Sequence, residues 1–107
     1  MRIVVSIFTI LFGLLHIIAA VTQFRAKAPA ARGSATIMIC GGIAVVCASA
    51  AHLAGGIATT CMEAAVGFLL IGFAAYLNGK QAGKTNLLHH VIRGTIAVLL
   101  IVGFIIW

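Results

Sequence analysis

Four long apolar segments, separated by short polar or glycine-containing stretches, dominate this chain. They cover roughly residues 3–24, 35–54, 60–78 and 87–107. A helix of about 20 residues, rising about 1.5 Å per residue, crosses a hydrocarbon core about 30 Å thick. The pattern therefore predicts an all-α integral membrane protein, in which four transmembrane helices form an up-down-up-down bundle and a single domain over residues 1–107.

The second segment carries a stripe of small residues that favours close helix packing. Its members recur at steps of three and four residues: Gly41, Ala44, Ala48, Ala51 and Gly55. In lipid, helices associate through van der Waals contact, which small side chains permit. The Gly55-Gly56 pair suits a tight turn. We therefore expect a tight central hairpin of helices 2 and 3, although the same stripe would also suit contact with a second copy of the chain.

Helix 1 has one small and polar face. At three- and four-residue steps it presents Ser6, Thr9, Gly13, His16 and Ala20. We expect this face to point into the bundle. The sequence leaves two roles open for His16. It either donates a hydrogen bond that holds the helices together, or it serves as a proton relay or ligand, because an ionisable group inside a membrane is costly to keep.

Several residues at the segment ends have the chemistry of helix caps and stops. Ser34 is suited to cap helix 2, and Thr85 or Asn86 to cap helix 4. Asn78-Gly79 favours a left-handed end of helix 3. The second half of helix 4 is aliphatic up to Trp107, which predicts contact with lipid and an aromatic anchor at the interface.

Composition and charge agree with a membrane protein and suggest its orientation. Only 7% of the residues are charged, against about a quarter in soluble domains. The net charge is +6, and two predicted loops, 25–34 and 79–86, hold Arg25, Lys27, Arg32, Lys80 and Lys84. The positive-inside rule predicts that both loops face the cytoplasm and contact anionic lipid headgroups, with both termini outside, as in a bacterial cytoplasmic membrane. We expect no nucleic-acid partner, since no aromatic or groove-reading element accompanies these basic residues.

A first candidate cluster consists of His52, Cys61 and Glu63, on either side of the predicted turn. At similar depth on antiparallel helices, a histidine, a thiol and a carboxylate could hold a transition metal. His52 and Glu63 could also shuttle protons. The structural alternative is that Thr60 and Glu63 form a capping box at the start of helix 3. We favour capping over metal binding.

A second candidate cluster consists of His16, His89, His90 and Arg93, in the inner half of the bundle. Counting residues from the outer helix ends places His16 and Arg93 at nearly the same depth. Such a group suits an anion- or proton-conducting path, or haem held by His16 and His90. The favoured alternative is that the side chains on helix 4 extend to lipid headgroups.

These residues favour transport over catalysis. The sequence contains no nucleophile–base pattern, paired carboxylates or phosphate-binding glycine loop, so we expect neither an enzyme nor a cofactor. The main hypothesis is a homo-oligomeric transporter or channel for a small solute, ions or protons, with a polar path of His16, Arg93, Glu63 and His52. The alternative is a non-enzymatic accessory or scaffold subunit of a larger membrane complex, and a haem-binding redox subunit ranks third.

In size and number of helices the chain resembles the small multidrug transporters, which are dimers of four-helix chains. That family has a coupling glutamate in the middle of its first helix. This chain has His16 there, and its only acidic residue, Glu63, stands near the start of helix 3. We therefore do not assign the chain to that family.

Overall fold

A computed structural model describes residues 1–26, 29–56, 58–84 and 86–107. Over these residues the chain forms four α-helices: α1 (Arg2–Ala26), α2 (Pro29–Leu53), α3 (Ala58–Gln81) and α4 (Leu87–Ile106). Each helix is long and apolar enough to cross a membrane, by length and composition. The prediction of an all-α chain with four such helices is confirmed.

Consecutive helices run in opposite directions. At one end of the bundle, Gln23 near the end of α1 and Ser34 near the start of α2 both hydrogen-bond Asn78 near the end of α3. At the opposite end, the Nε atom of Arg2 donates to the carbonyl oxygen of Trp107, which follows α4. We refer to the first as the basic end, because the basic side chains gather there, and to the second as the turn end, after the α2–α3 turn.

The central helix is α2, which packs extensively against both α1 and α3. Two adjacent glycines bring the backbones close together. A Cβ atom added to Gly41 would lie 2.8 Å from the carbonyl oxygen of Gly67 in α3, and one added to Gly42 would lie 3.0 Å from that of Gly13 in α1. The contact between α2 and α3 is the most extensive of any helix pair, which confirms the predicted tight hairpin.

The predicted small-residue stripe faces α3 only in part. Gly41 and Ala48 are buried and Ala51 is half-buried, and Ala48 belongs to the apolar core. Ala44, by contrast, lines a surface groove between α2 and α3. Gly55 lies just beyond α2 with a φ of +97°, a left-handed conformation that ends the helix and starts the turn.

The start of α2 differs from the sequence prediction. The helix begins at Pro29, and proline is favoured at the first helical position because its missing N–H would be unpaired there in any case. Much of the predicted loop 25–34 is therefore helical. Ser34 lies inside α2, with its hydroxyl 3.0 Å from the carbonyl oxygen of Ala31, instead of capping the helix. Lys27 lies outside the described residues.

The helix α3 is longer than predicted at both ends. It begins at Ala58, so Thr60 lies within the first turn, where its hydroxyl donates to the carbonyl oxygen of Gly56. The predicted capping box, which needs Thr60 as the cap, does not match this start. At the other end, α3 continues past Asn78-Gly79 and is followed by Gly83 with a φ of +70°. Because Asn78 lies inside α3 and does not end it, its side chain contacts residues of other helices.

Apolar packing holds α4 mainly at the turn end. Phe104 is buried in a core cluster that includes Val5 and Phe68. A Cβ atom added to Gly103 would lie 3.0 Å from a methyl group of Val5, so α4 and α1 are close there. Among the described residues, the core cluster at the basic end draws only on α1, α2 and α3, through Ala20, Ala35, Met38, Ala74 and Ala75.

The face predicted for helix 1 points into the bundle, as expected. Ser6, Thr9, Gly13 and Ala20 are buried, and His16 is half-buried. The aliphatic half of α4 is mostly exposed, as a surface that meets lipid would be.

Candidate functional site

A cavity of about 370 Å³ lies at the basic end, between α4 and the other three helices. It exists because α4 is packed tightly only at the turn end. The cavity is open on one side, and its volume falls in the range of small-molecule sites, about 300 to 1,000 Å³. Its lining is formed by Leu15, His16, Ala19, Gln23, Met38, Ala75, Asn78, Gly79, Lys84, Asn86, His89, His90 and Arg93.

One wall of the cavity carries His16 of α1. Its Nδ1 atom lies 2.7 Å from the carbonyl oxygen of Phe12, one turn earlier. Because a carbonyl oxygen only accepts, Nδ1 is the donor, and in the neutral ring Nε2 then carries the lone pair. The imidazole also lies against the Phe12 ring, with a centroid distance of 4.3 Å. These two contacts hold the ring in one orientation beside the cavity.

Arg93 of α4 approaches the cavity from the opposite wall. Its Nη2 atom lies 2.8 Å from Nε2 of His89, one turn earlier on the same helix. Since a guanidinium group only donates, the imidazole accepts and is neutral at that nitrogen. The backbone N–H of His89 in turn donates to Asn86, 3.3 Å away, which confirms Asn86 as the predicted cap of α4. The start of α4 thereby orients the arginine.

An amide network links three helices beside the cavity. The Nε2 atom of Gln23 donates to Oδ1 of Asn78 at 2.6 Å, and Nδ2 of Asn78 donates back to Oε1 of Gln23 at 3.0 Å. The Ser34 hydroxyl donates to the same Oδ1 at 2.5 Å. The sequence pattern does not indicate this network, because Gln23 and Asn78 stand at the ends of two different apolar segments, 55 residues apart. The available signal was that all three polar side chains belong to the same end of the bundle.

The charged side chains that line the cavity are all basic. Arg93 and Lys84 line it together with three histidines. The one acidic residue of the sequence, Glu63, lies elsewhere, in the exposed groove between α2 and α3 beside Ala44 and Cys47. A cleft lined by charge of one sign, with apolar walls, concentrates the field and attracts ions of the opposite sign. The cavity is therefore suited to an anion.

Aromatic side chains separate the cavity from the rest of the bundle. The rings of Phe12 and Phe68 meet edge to face with a centroid distance of 5.4 Å. A space of about 80 Å³ between these rings and Arg93 is also bordered by Gly94. Beyond the rings lies the apolar cluster that contains Phe104. On α1, Phe12 lies one turn closer to the turn end than His16, so this aromatic contact stands on the side of the cavity that faces the turn end.

The turn end contains buried polar side chains of a different kind. His52 is fully buried, and its ring stacks on Phe104 with a centroid distance of 4.4 Å and an interplanar angle of 16°. Within the described part of the chain, neither ring nitrogen of His52 nor the hydroxyl of buried Ser6 has a hydrogen-bond partner. The hydroxyls of Thr9 and Ser49 donate to carbonyl oxygens of their own helices.

The metal hypothesis for His52, Cys61 and Glu63 is corrected by the structure. In the residues described, no three histidine, cysteine or acidic side chains form a group that could hold a metal ion. His52 faces Phe104 of α4, whereas Glu63 is exposed in the groove between α2 and α3. Counting residues from the turn does not specify the faces on which these residues lie.

The other predicted site residues separate into groups. Of the proposed polar path, His16 and Arg93 share the basic cavity, while Glu63 and His52 lie outside it. The two histidines of the haem hypothesis, His16 and His90, both line the cavity, and haem binding stays a hypothesis. The described basic residues assigned to headgroups are all exposed at the basic end: Arg25, Arg32, Lys80 and Lys84. The Arg32 guanidinium lies 5.6 Å from the centre of the Phe24 ring.

Comparison with protein-family models, with curated proteins and with solved structures finds no match to this chain. The functional interpretation therefore depends on the geometry of the basic cavity.

Proposed function

We propose that this chain is an integral membrane protein whose basic end faces the cytoplasm of a bacterial cell. The support is that four helices are apolar enough to span a bilayer and that exposed arginines and lysines gather at one end. Cytoplasmic connections carry an excess of such residues. In this orientation both termini and the Gly55-Gly56 turn lie outside.

Cysteine labelling tests this orientation in bacterial cells that express a variant without the native Cys40, Cys47 and Cys61. A membrane-impermeant maleimide, added to intact cells, should label Ala54→Cys at the turn end. It should label Lys84→Cys only after the cells are opened. The opposite pattern would contradict the proposed orientation, and labelling of both sites in intact cells would contradict a membrane-spanning chain.

We further propose that the protein transports a small anionic solute and binds it in the basic cavity. The observation that carries this proposal is the cavity of about 370 Å³, which Arg93, Lys84 and His16 line together while Glu63 lies elsewhere. Arg93 would provide charged donors, and His16 would contact the anion through Nε2 when the ring is protonated.

The aromatic contact beside the cavity favours a carrier over an open channel. The Phe12–Phe68 contact lies between the cavity and the turn end. A solute therefore crosses only if this contact opens while access from the basic end is reduced. The loosely packed part of α4, next to Gly94, is the element whose displacement would change both.

Flux measurements in liposomes test the transport proposal. Purified protein is reconstituted in phosphatidylcholine vesicles, and uptake of radiolabelled inorganic phosphate, chloride or acetate is followed. We expect uptake of at least one anion, and we expect His16→Ala and Arg93→Gln to abolish it while helicity by circular dichroism is retained. The matched control is Arg25→Gln, since Arg25 is exposed and does not line the cavity. Uptake that is equal in all variants and in empty vesicles would contradict the proposal.

The alternative of an accessory subunit would use the small-residue stripe and the basic loops to contact partners. In this chain Gly41 of the stripe is in close contact with Gly67, while Ala44 lines a surface groove. Homo-oligomerisation stays a prediction, and light scattering of the purified protein measures it.

A further inference from the structure

The basic cavity borders an apolar groove of about 440 Å³ between α1 and α4. The groove is lined by the segment of α1 from Phe8 to Leu15 and the segment of α4 from Ile96 to Leu100, and all of its lining side chains are apolar. Leu15 belongs to the walls of both the cavity and the groove. The two spaces are therefore neighbours along the same pair of helices.

On α4, the basic residues of the cavity and the apolar residues of the groove lie along a single face of the helix. His89, Arg93, Ile96 and Leu100 follow one another at steps of four, three and four residues, so they lie along one face of the helix. From Arg93 to Leu100 this face extends about 10 Å, at about 1.5 Å per residue. On α1, which runs in the opposite direction, the segment from Leu15 back to Phe8 covers the same distance. Both walls of the groove thus extend from the cavity toward the turn end.

The arrangement matches the shape and charge of a lipid. If the four helices span a bilayer, the cavity at the basic end lies near the headgroups of the adjacent leaflet, and the groove runs from there toward the bilayer centre. A lipid in that leaflet has the same direction, with its head at the surface and its acyl chain pointing inward. The positive charge of Arg93 and Lys84 complements an anionic head.

We propose that the basic cavity and the α1–α4 groove together also bind an anionic lipid of the adjacent leaflet, with its charged head beside Arg93 and one acyl chain in the groove. This inference rests on the proposed anion-binding role of the cavity and names the class of ligand. A small hydrophilic anion would occupy the cavity alone and would make no use of the groove.

Fluorescence quenching tests the proposal in the full chain. Nanodiscs are made mostly of phosphatidylcholine, the native tryptophan is removed by Trp107→Phe, and Leu99→Trp places a reporter at the groove. The matched control is Val98→Trp, because Val98 is exposed on the same helix and does not line the groove. Lipids with brominated acyl chains quench a tryptophan that they contact.

We expect brominated phosphatidic acid to quench the Leu99→Trp reporter severalfold more than brominated phosphatidylcholine at equal mole fraction. The Val98→Trp control should be quenched equally by the two lipids. A basic residue near an anionic headgroup changes lipid affinity roughly fivefold, so Arg93→Gln should reduce the preference by about that factor. Lys84→Gln provides a second variant if Arg93→Gln loses helicity.

Equal quenching of the Leu99→Trp reporter by both lipids would overturn the lipid proposal, as would a preference that survives both Arg93→Gln and Lys84→Gln. Inorganic phosphate binding, measured in parallel, separates the two proposals. If phosphate binding depends on Arg93 and the two lipids quench the reporter equally, the lipid proposal is overturned and the proposal of small-anion transport stands. A lipid preference without uptake of any small anion supports the lipid ligand and contradicts transport of a hydrophilic solute.

Discussion

The two ends of the bundle each contain a histidine on the inner side of a helix, and the two side chains have opposite surroundings. At the basic end, His16 is half-buried, hydrogen-bonded through Nδ1 and adjacent to a cavity that it shares with Arg93. At the turn end, His52 is fully buried, stacks on Phe104 and has no hydrogen-bond partner among the described residues. The same residue type is thus open to a ligand at one end and enclosed by apolar packing at the other.

The attachment of α4 explains the difference. Near Phe104 this helix packs into the core and covers His52. Near His89 and Arg93 it lies apart from α2 and leaves the cavity. A polar residue inside a predicted membrane segment is therefore weak evidence of function by itself. A binding residue differs from a buried one in having free space beside it and polar neighbours that are held in a fixed orientation.

The largest expected effect comes from removing the packing at the turn end. Phe104→Ala leaves a cavity beside His52 in the apolar core and should lower the free energy of unfolding by about 3 kcal/mol. Unfolding by a denaturing detergent in mixed micelles measures it. The neighbouring Ile105→Ala is the control, because Ile105 is 65% exposed and should change stability by no more than about 0.5 kcal/mol. Equal effects of the two substitutions would show that α4 is not held through Phe104.

The second prediction concerns the unpaired histidine. His52→Phe replaces two buried nitrogens without partners by an apolar ring of similar shape that can still stack on Phe104. Because a buried unsatisfied polar group costs about 1 to 3 kcal/mol, we expect stability to rise by an amount in that range. The matched substitution His16→Phe should instead weaken anion binding. A clear loss of stability in His52→Phe would indicate that His52 has a polar partner in the membrane.

The third prediction concerns the amide network at the basic end. Asn78→Leu leaves Gln23 and Ser34 without their shared acceptor and should lower stability by about 1 kcal/mol, as interhelical hydrogen bonds in membranes contribute about 0.6 to 2. Thr95→Val is the control, since the Thr95 hydroxyl bonds only within its own helix, to the carbonyl oxygen of Val91. If both variants unfold at the same detergent fraction, the network does not hold the three helices together.

The smallest expected effect is the difference in stability between two glycine substitutions in α4. Among the described residues, a Cβ atom at Gly94 meets no atom within 4 Å, whereas one at Gly103 would lie 3.0 Å from Val5. Gly94→Ala should therefore raise stability by about 0.5 to 1 kcal/mol through helix propensity. Gly103→Ala should show no such gain, because the added methyl group displaces Val5. A gain of the same size at both positions would mean that α4 is equally loose at its two ends.

The apolar pattern was sufficient to predict the four helices, the inward face of helix 1 and the close pair of helices 2 and 3, and the chemistry of capping residues narrowed the cap of helix 4 to Thr85 or Asn86. These features depend on residues near one another in sequence or on a single periodicity. The helix ends were less predictable. A loop was expected at 25–34, yet α2 begins at Pro29, because the polar residues there are compatible with a helix that extends beyond the apolar segment.

The site was only partly predictable. Depth along a helix follows from counting residues, which predicts His16 and Arg93 at nearly the same level, and both line the basic cavity. The direction of a side chain around the bundle depends on how the helices are rotated against each other. The sequence does not give this rotation. It therefore does not predict that His52 and Glu63 face different neighbours, or that Gln23 and Asn78 form a hydrogen bond.

Anion binding at the basic end is measured most directly by equilibrium dialysis of radiolabelled inorganic phosphate against the protein in phosphatidylcholine nanodiscs. Arg93→Gln should weaken binding at least tenfold, since a hydrogen bond to a charged group contributes about 1.5 to 3 kcal/mol. Arg25→Gln, at an exposed position outside the cavity lining, should change it less than about twofold. The same affinity in both variants, or no binding above empty nanodiscs, would contradict the assignment of the cavity as an anion site.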